Sequence, residues 1–226
     1  MKKLTWVFLL SAVVCLFVAA PAKADSLLYT NNPINGTINA WTINNGFEVS
    51  DSFTIGSNST LTVAQIGLWM VSGDIPASVG WAIGTTEGSS NIASGTSSFF
   101  NQTNEGPNIY GYDVWESSLD IGGTLVAGTY WFSLEDATYS LSGTTDRMFW
   151  DQNNGPSAAW DSAVGSLQNN DSCSGPCTGS ESFQIYGTTT ATPEPGTAGL
   201  MLIGLGSLGL MLVVRKRTFR GLLQAT

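Results

Sequence analysis

The sequence predicts an all-β fold, an antiparallel β-sandwich of jelly-roll type, with an N-terminal signal helix and a C-terminal transmembrane helix as its helical parts. No stretch between residues 25 and 192 shows a sustained apolar period of 3.6 residues. Short β-branched and aromatic runs are instead separated by turn signals such as Asn45-Gly46, Gly73-Asp74 and Gly122-Gly123. Several runs have one apolar and one polar face, which requires sheets covered on one side only. Two sheets packed face to face satisfy this requirement.

The first element is a signal peptide over residues 1–24. Lys2 and Lys3 precede an apolar stretch over residues 4–20, and Ala22-Lys23-Ala24 places small residues where a signal peptidase cleaves. Signal peptidase is therefore a predicted partner, and the mature chain begins at Asp25.

The second element is a β-sandwich ectodomain over residues 25–187. In one run, Phe53 and Ile55 share a face with the acidic Asp51. In the strand that begins at Thr60, the apolar phase changes, which predicts a bulge near Ala64-Gln65. Nine segments carry strand patterns: 26–29, 38–43, 47–55, 60–71, 79–83, 110–116, 128–134, 147–151 and 182–186.

The chain ends in a linker and a tripartite tail. Residues 188–192 are rich in threonine and form the linker, and Pro193-Glu194-Pro195 follows it. The 19 apolar residues 196–214 would reach about 28 Å as a helix, enough to cross the hydrocarbon core of a membrane. Arg215, Lys216 and Arg217 form a stop-transfer cluster that stays on the cytoplasmic side, and residues 218–226 form a cytoplasmic tail.

This tail resembles the PEP-CTERM sorting signal of Gram-negative bacteria that make exopolysaccharide, with the signal spanning residues 193–217. The resemblance implies an exosortase as a partner that cuts near Pro193-Glu194-Pro195. It also implies an exported protein that the C-terminal helix anchors in the inner membrane before processing, and that then reaches the cell surface or the extracellular matrix.

The composition of the body limits its partners and its chemistry. Residues 25–192 contain 16 acidic side chains and one basic side chain, Arg147, a formal charge of −15. Such a body repels nucleic acid, so no nucleic-acid partner is predicted. The sequence has no histidine, which removes the commonest general base and metal ligand. Cys173 and Cys177 lie in a turn-rich loop of an exported protein, which favours a disulfide over a reduced pair.

The sequence offers a glycan platform but no cofactor site. Trp115 and Trp131 fall on the more polar phase of their strands, and Trp150 begins the polar segment 150–156. Exposed indole rings beside acids and amides stack on sugars, although loops that cover the sheets would bury the same rings. Segment 150–156 lacks EF-hand spacing, so we predict a turn there and no cofactor, with Ca²⁺ held by separate loops as the open alternative.

These observations predict an exported, non-enzymatic surface or matrix protein with a structural or adhesive role and an association with exopolysaccharide. The alternative is a carbohydrate-binding module that uses exposed tryptophans. A glycan-active enzyme would need two converging carboxylates, and no motif marks such a pair. Arg147 is predicted to form a structural ion pair, with Asp151 or with an acid on a neighbouring strand.

Overall fold

The computed structural model of the chain describes residues 24–140, 146–166 and 179–190, together with Leu205. The chain divides into two compact units, Met1–Thr189 and Thr190–Thr226. Leu205 is helical, and the regular structure of the other described residues consists of strands. No helix among the described residues is long and apolar enough to cross a membrane. Apart from Ala24 and Leu205, the predicted signal helix and transmembrane helix lie outside the described residues.

Every one of the nine predicted segments overlaps a strand, so the all-β class is confirmed. The strands of the described residues are β1 (Ser26–Thr30), β2 (Asn39–Thr42), β3 (Glu48–Ile55), β4 (Ser59–Val71), β5 (Pro76–Gly84), β6 (Ala93–Pro107), β7 (Tyr112–Asp120), β8 (Thr124–Leu125), β9 (Gly128–Tyr139), β10 (Phe149–Asn153), β11 (Ala159–Asp161), β12 (Gly165–Ser166), β13 (Ser180–Glu181) and β14 (Phe183–Thr189).

The strands pair in antiparallel fashion and form two groups joined by β6. In the first group, which we call sheet A, the order is β1-β14-β4-β7, and β10 pairs with β4, β2 and β13. In the second group, sheet B, the order is β5-β9-β3-β11-β12. The long strand β6 pairs with β5 through residues 93–98 and with β7 through residues 99–107, so it belongs to both groups. The antiparallel arrangement is confirmed, and the jelly-roll type of connection stays a prediction.

The core lies between sheets A and B, as ring contacts across them show. Phe183 of sheet A lies 6.3 Å from Phe53 and 5.8 Å from Phe132, both of sheet B, measured between ring centroids. The predicted alternation is confirmed, because Phe53, Ile55, Phe132 and Leu134 are all buried. Asp51 shares their face of β3 and is fully buried, so a carboxyl group lies in this interior.

The strands differ from the sequence-based expectation in two ways. Five strands overlap none of the predicted segments: β6, β8, β11, β12 and β13. Strand β6 was not predicted, because its glycine, serine, threonine and asparagine residues are mostly exposed and give no apolar alternation. The bulge in β4 lies two residues earlier than Ala64. Tyr186 pairs with Val63 and Gly187 with Leu61, so Thr62 is the extra residue. The change of apolar phase therefore occurs at Thr62, before the buried Ala64.

Candidate functional site

A groove of aromatic side chains lies on the face of sheet A that points away from the core. Leu68 of β4 pairs with Trp150 of β10 and is buried in the core. Trp69 and Phe149, which are also paired, must therefore point to the opposite face, because successive side chains alternate. The groove has a volume of about 420 Å³ and is lined by Ile38, Asn39, Ala40, Trp69, Tyr110, Tyr112 and Phe149. We call it the outer groove.

The rings of the outer groove stack on one another. The Trp69 ring stacks against the rings of Tyr110 and Tyr112, with centroid distances of 5.6 and 6.3 Å and interplanar angles of 27° and 26°. Tyr112 then meets Phe149 edge-on at 5.3 Å. Trp69 is only 4% exposed, whereas Tyr110 is 51% exposed and Tyr112 and Phe149 are half-buried. Trp69 is thus the base of the groove, and the tyrosine and phenylalanine rings form its accessible surface.

The turn between β6 and β7 positions Tyr110. The side-chain oxygen of Asn108 accepts hydrogen bonds from the backbone N–H groups of Tyr110 and Tyr112, both at 3.0 Å. The backbone of Asn108 also donates to the carbonyl of Tyr112 at 2.8 Å. Gly111 has a φ of 85°, a backbone conformation that favours glycine and completes this tight turn. Several hydrogen bonds therefore hold the backbone turn that carries the exposed Tyr110 ring.

The buried carboxylate of Asp151 holds Trp69, the base of the groove, through a hydrogen bond. The carboxylate accepts hydrogen bonds from the backbone N–H groups of Asn35 and Gly36, both at 3.0 Å, and from Trp69 Nε1 at 2.6 Å. The carboxyl group is fully buried, and this burial raises its pKa to about 6, while the donated hydrogen bonds act in the opposite direction. Asp151 thus orients the Trp69 ring and holds the loop before β2 against it.

Asp151 is therefore not the ion-pair partner of Arg147, and that interpretation is wrong. Backbone and indole N–H groups already occupy the Asp151 carboxylate. Arg147 is exposed, and its guanidinium carbon lies 5.7 Å from the centroid of the Phe47 ring, within the range of a cation–π contact.

The three predicted platform tryptophans occupy different places. Trp150 is fully buried, with its Nε1 donating to Ser182 O at 2.9 Å, so the prediction that it presents a sugar-binding face is wrong. Trp115 pairs with Leu68, is half-buried and packs against the core. Trp131 is half-buried on the outer face of sheet B, where it pairs with Ser52 and Gly84. Trp115 and Trp150 lie on either side of Leu68 in sheet A, whereas Trp131 lies in sheet B, so the three rings do not form one platform.

The residues of the outer groove were not predicted from the sequence. The prediction rested on exposed tryptophans beside polar residues, and the groove is instead lined by tyrosine and phenylalanine around a buried tryptophan. Asp151 is buried under the loop before β2, so its face of sheet A is not open to water throughout. One signal in the sequence pointed to this arrangement. The run Leu68-Trp69-Met70 is apolar at consecutive positions, and a strand of that kind is covered on both faces.

The chemistry of the groove suits an uncharged ligand with apolar faces. Aromatic rings bind the C–H faces of sugars, and Asn39 at the edge of the groove supplies an amide group. The acidic body opposes the approach of anionic polymers.

The comparison with known proteins concerns the other end of the chain. Residues 191–217 match the family model of the PEP-CTERM protein-sorting motif. The chain carries a PEP-CTERM sorting motif. The match contains Pro193-Glu194-Pro195 and Arg215-Lys216-Arg217, as the sequence predicted. The PEP-CTERM motif supports an exported protein that passes the membrane and is processed by an exosortase. No curated protein matches the chain.

The sorting motif, the stop-transfer cluster and the predicted disulfide between Cys173 and Cys177 lie outside the described residues. Their roles stay predictions from the sequence.

Proposed function

We propose that this PEP-CTERM protein is a non-enzymatic, adhesive component of the cell surface or extracellular matrix, whose folded body binds a neutral polysaccharide in the outer groove. The accessible rings of Tyr110, Tyr112 and Phe149, which line the groove around Trp69, carry the proposal. Signal peptidase releases the N-terminus, the C-terminal helix holds the protein in the inner membrane, and an exosortase then frees it. The proposed association of the folded body with exopolysaccharide is supported by the export of the protein and by the aromatic outer groove.

A neutral glycan is the ligand class that fits the site. A formal charge of −15 in residues 25–192 disfavours acidic polysaccharides, whereas it does not affect uncharged sugars. The stacked rings bury apolar ring faces, and this interaction needs no charge on the ligand. Because Asn108 fixes the backbone that carries Tyr110 and Asp151 fixes the Trp69 ring, little conformational entropy would be lost when a sugar binds.

The test compares the purified full chain with its Tyr110→Ala variant on an array of neutral oligosaccharides, followed by calorimetry with a ligand that binds. We expect the variant to lose about tenfold in affinity, which corresponds to about 1.4 kcal/mol. Tyr110→Phe keeps the ring and should bind like the wild type. The melting temperature should change little, because Tyr110 is half exposed.

Trp131→Ala is the matched control, because Trp131 lies on sheet B, away from the outer groove of sheet A. It removes a half-buried aromatic ring from sheet B and should leave glycan binding unchanged. If Trp131→Ala abolishes binding while Tyr110→Ala has no effect, the glycan site lies on sheet B. If the wild type binds no neutral glycan, the proposed function is wrong.

A further inference from the structure

A group of polar side chains lies between the sheets, apart from the outer groove. Asp51 has the same orientation on β3 as Val49 and Phe53, which are core residues. Asp161 pairs with Val49 and so faces the same interior. Glu181 precedes the buried Phe183 by two residues along the chain. The three acids are 0 to 2% exposed, and we call them the inner acid cluster.

An amide side chain points into this cluster. Gln152 pairs with Glu181 across β10 and β13, so both side chains project from the same face of sheet A. Gln152 also follows Trp150 by two residues, and the Trp150 ring packs against Phe132 of sheet B. Gln152 is fully buried, and neither its amide oxygen nor its amide nitrogen has a hydrogen-bond partner among the described residues.

The acids of the cluster have unpartnered oxygens as well. Both carboxylate oxygens of Glu181 and Oδ1 of Asp51 are buried without a hydrogen-bond partner in the described part of the chain. Asp51 Oδ2, in contrast, accepts from the Glu181 backbone N–H at 2.5 Å, which places the two residues side by side. Asp161 Oδ1 accepts two backbone hydrogen bonds, from Ala163 at 2.8 Å and Val164 at 3.2 Å, and Asp161 has no buried unpartnered oxygen among the described residues.

No basic side chain among the described residues neutralises the cluster. Arg147 is the one basic residue between positions 25 and 192, and it is exposed against Phe47. Buried carboxylates without a counter-charge or hydrogen bonds are strongly destabilising. The cluster must therefore take up either protons or a metal cation.

We propose that Glu181, Asp51 and Gln152 bind a Ca²⁺ ion between the two sheets. All the unpartnered acceptors are oxygens, which hard cations prefer, and Ca²⁺ tolerates irregular sets of carboxylate and amide ligands. No group of three or more acidic, cysteine or histidine side chains among the described residues forms a metal site. The third protein ligand in this proposal is the amide oxygen of Gln152, which is fully buried, unpartnered and paired with Glu181. With two carboxylates, the site belongs to the weak class of extracellular calcium sites.

The test measures the stability of the purified full chain at pH 7.5 in EDTA and in Ca²⁺. Urea unfolding and refolding curves are both recorded so that the enclosed site exchanges its ion, and calorimetry measures Ca²⁺ binding directly. At a Ca²⁺ concentration about 100 times the dissociation constant, the melting temperature should rise by roughly 5–10 °C. One Ca²⁺ should bind per chain.

Glu181→Gln should abolish this response, because it removes the central carboxylate. Glu87→Gln is the matched control, since it removes the same charge from an exposed position and should respond like the wild type. If Glu181→Gln does not fold, Gln152→Met provides the second variant, and its Ca²⁺ affinity should fall at least tenfold.

Two results would overturn the proposal. If Ca²⁺ does not bind or stabilise the wild type, protons neutralise the cluster. If Ca²⁺ stabilises Glu181→Gln or Gln152→Met as much as the wild type, the ion binds elsewhere on the acidic surface.

Discussion

Replacing Asp51 with asparagine should stabilise the protein at pH 8 in the absence of divalent cations and reduce the pH dependence of its stability. Burial raises the pKa of Asp51 from 3.8 to about 7, while its hydrogen bonds, including that from the Glu181 backbone, act in the opposite direction. The carboxyl group is almost completely enclosed, and the ionisable groups Tyr29 and Glu181 interact with it. Asp151 and Asp161 in turn interact with Glu181. The folded state therefore disfavours the charged form of Asp51.

The sign and size of the effect follow from proton linkage. The folded protein keeps a proton on Asp51 up to about pH 7, whereas the unfolded chain releases it near pH 4. The free energy of unfolding must then fall as the pH rises between these values. The pKa difference, at about 1.4 kcal/mol for each pH unit, amounts to roughly 4 kcal/mol. Asparagine at position 51 retains an acceptor for Asn31 Nδ2 and the Glu181 N–H and avoids this cost.

The assay is urea unfolding of the full chain in EDTA at several pH values from 4 to 8. The advantage of Asp51→Asn over the wild type should be near zero at pH 4 and reach roughly 4 kcal/mol at pH 8. Asp120→Asn, at an exposed position, is the matched control and should show no growing advantage. A difference between Asp51→Asn and the wild type that does not change with pH would refute the reasoning.

Two further predictions concern Arg147 and the sorting motif. Arg147→Ala should lower the melting temperature by roughly 1–4 °C, because an exposed cation–π contact contributes about 0.5–1 kcal/mol. Arg147→Lys should retain most of this stability, and an unchanged melting temperature in the alanine variant would argue against a structural role. Replacing Pro193-Glu194-Pro195 with three alanines should leave a larger, unprocessed form in the membrane fraction, detectable by immunoblot in cells that contain the exosortase. Alanines at Thr188 and Thr189 should not affect processing, and normal maturation of the motif variant would exclude its role.

The sequence predicted the strands with a long alternation of apolar and polar residues, and it missed β6 and four strands of only two or three residues. In β3 and β9 the alternation of large apolar and polar residues identifies both the strand and its inner face. Strand β6 gives no such signal, because Phe99 is its one buried residue and the strand otherwise pairs with two neighbours through exposed and half-buried positions. Its role in joining sheets A and B is set by which residues pair, and composition does not reveal that.

The candidate site was harder to predict, because both faces of sheet A are partly covered. A polar segment normally lies at the surface, and for this reason Trp150, which begins segment 150–156, was predicted to be exposed. Asp151 is instead buried by the loop before β2, where backbone N–H groups satisfy its carboxylate. The contacts of Tyr110 with Trp69, some 40 positions apart in the sequence, depend on the tertiary fold.

Strand β10 connects the outer groove to the inner acid cluster. Its alternate residues Phe149 and Asp151 face the groove, where one lines it and the other holds Trp69. Trp150 and Gln152 face the interior, where one packs against Phe132 and the other pairs with Glu181. Because successive side chains of a strand point to opposite faces, this short segment contributes to both the proposed glycan groove and the proposed calcium site. Loss of Ca²⁺ should therefore weaken glycan binding through β10, although no residue of the cluster lines the groove.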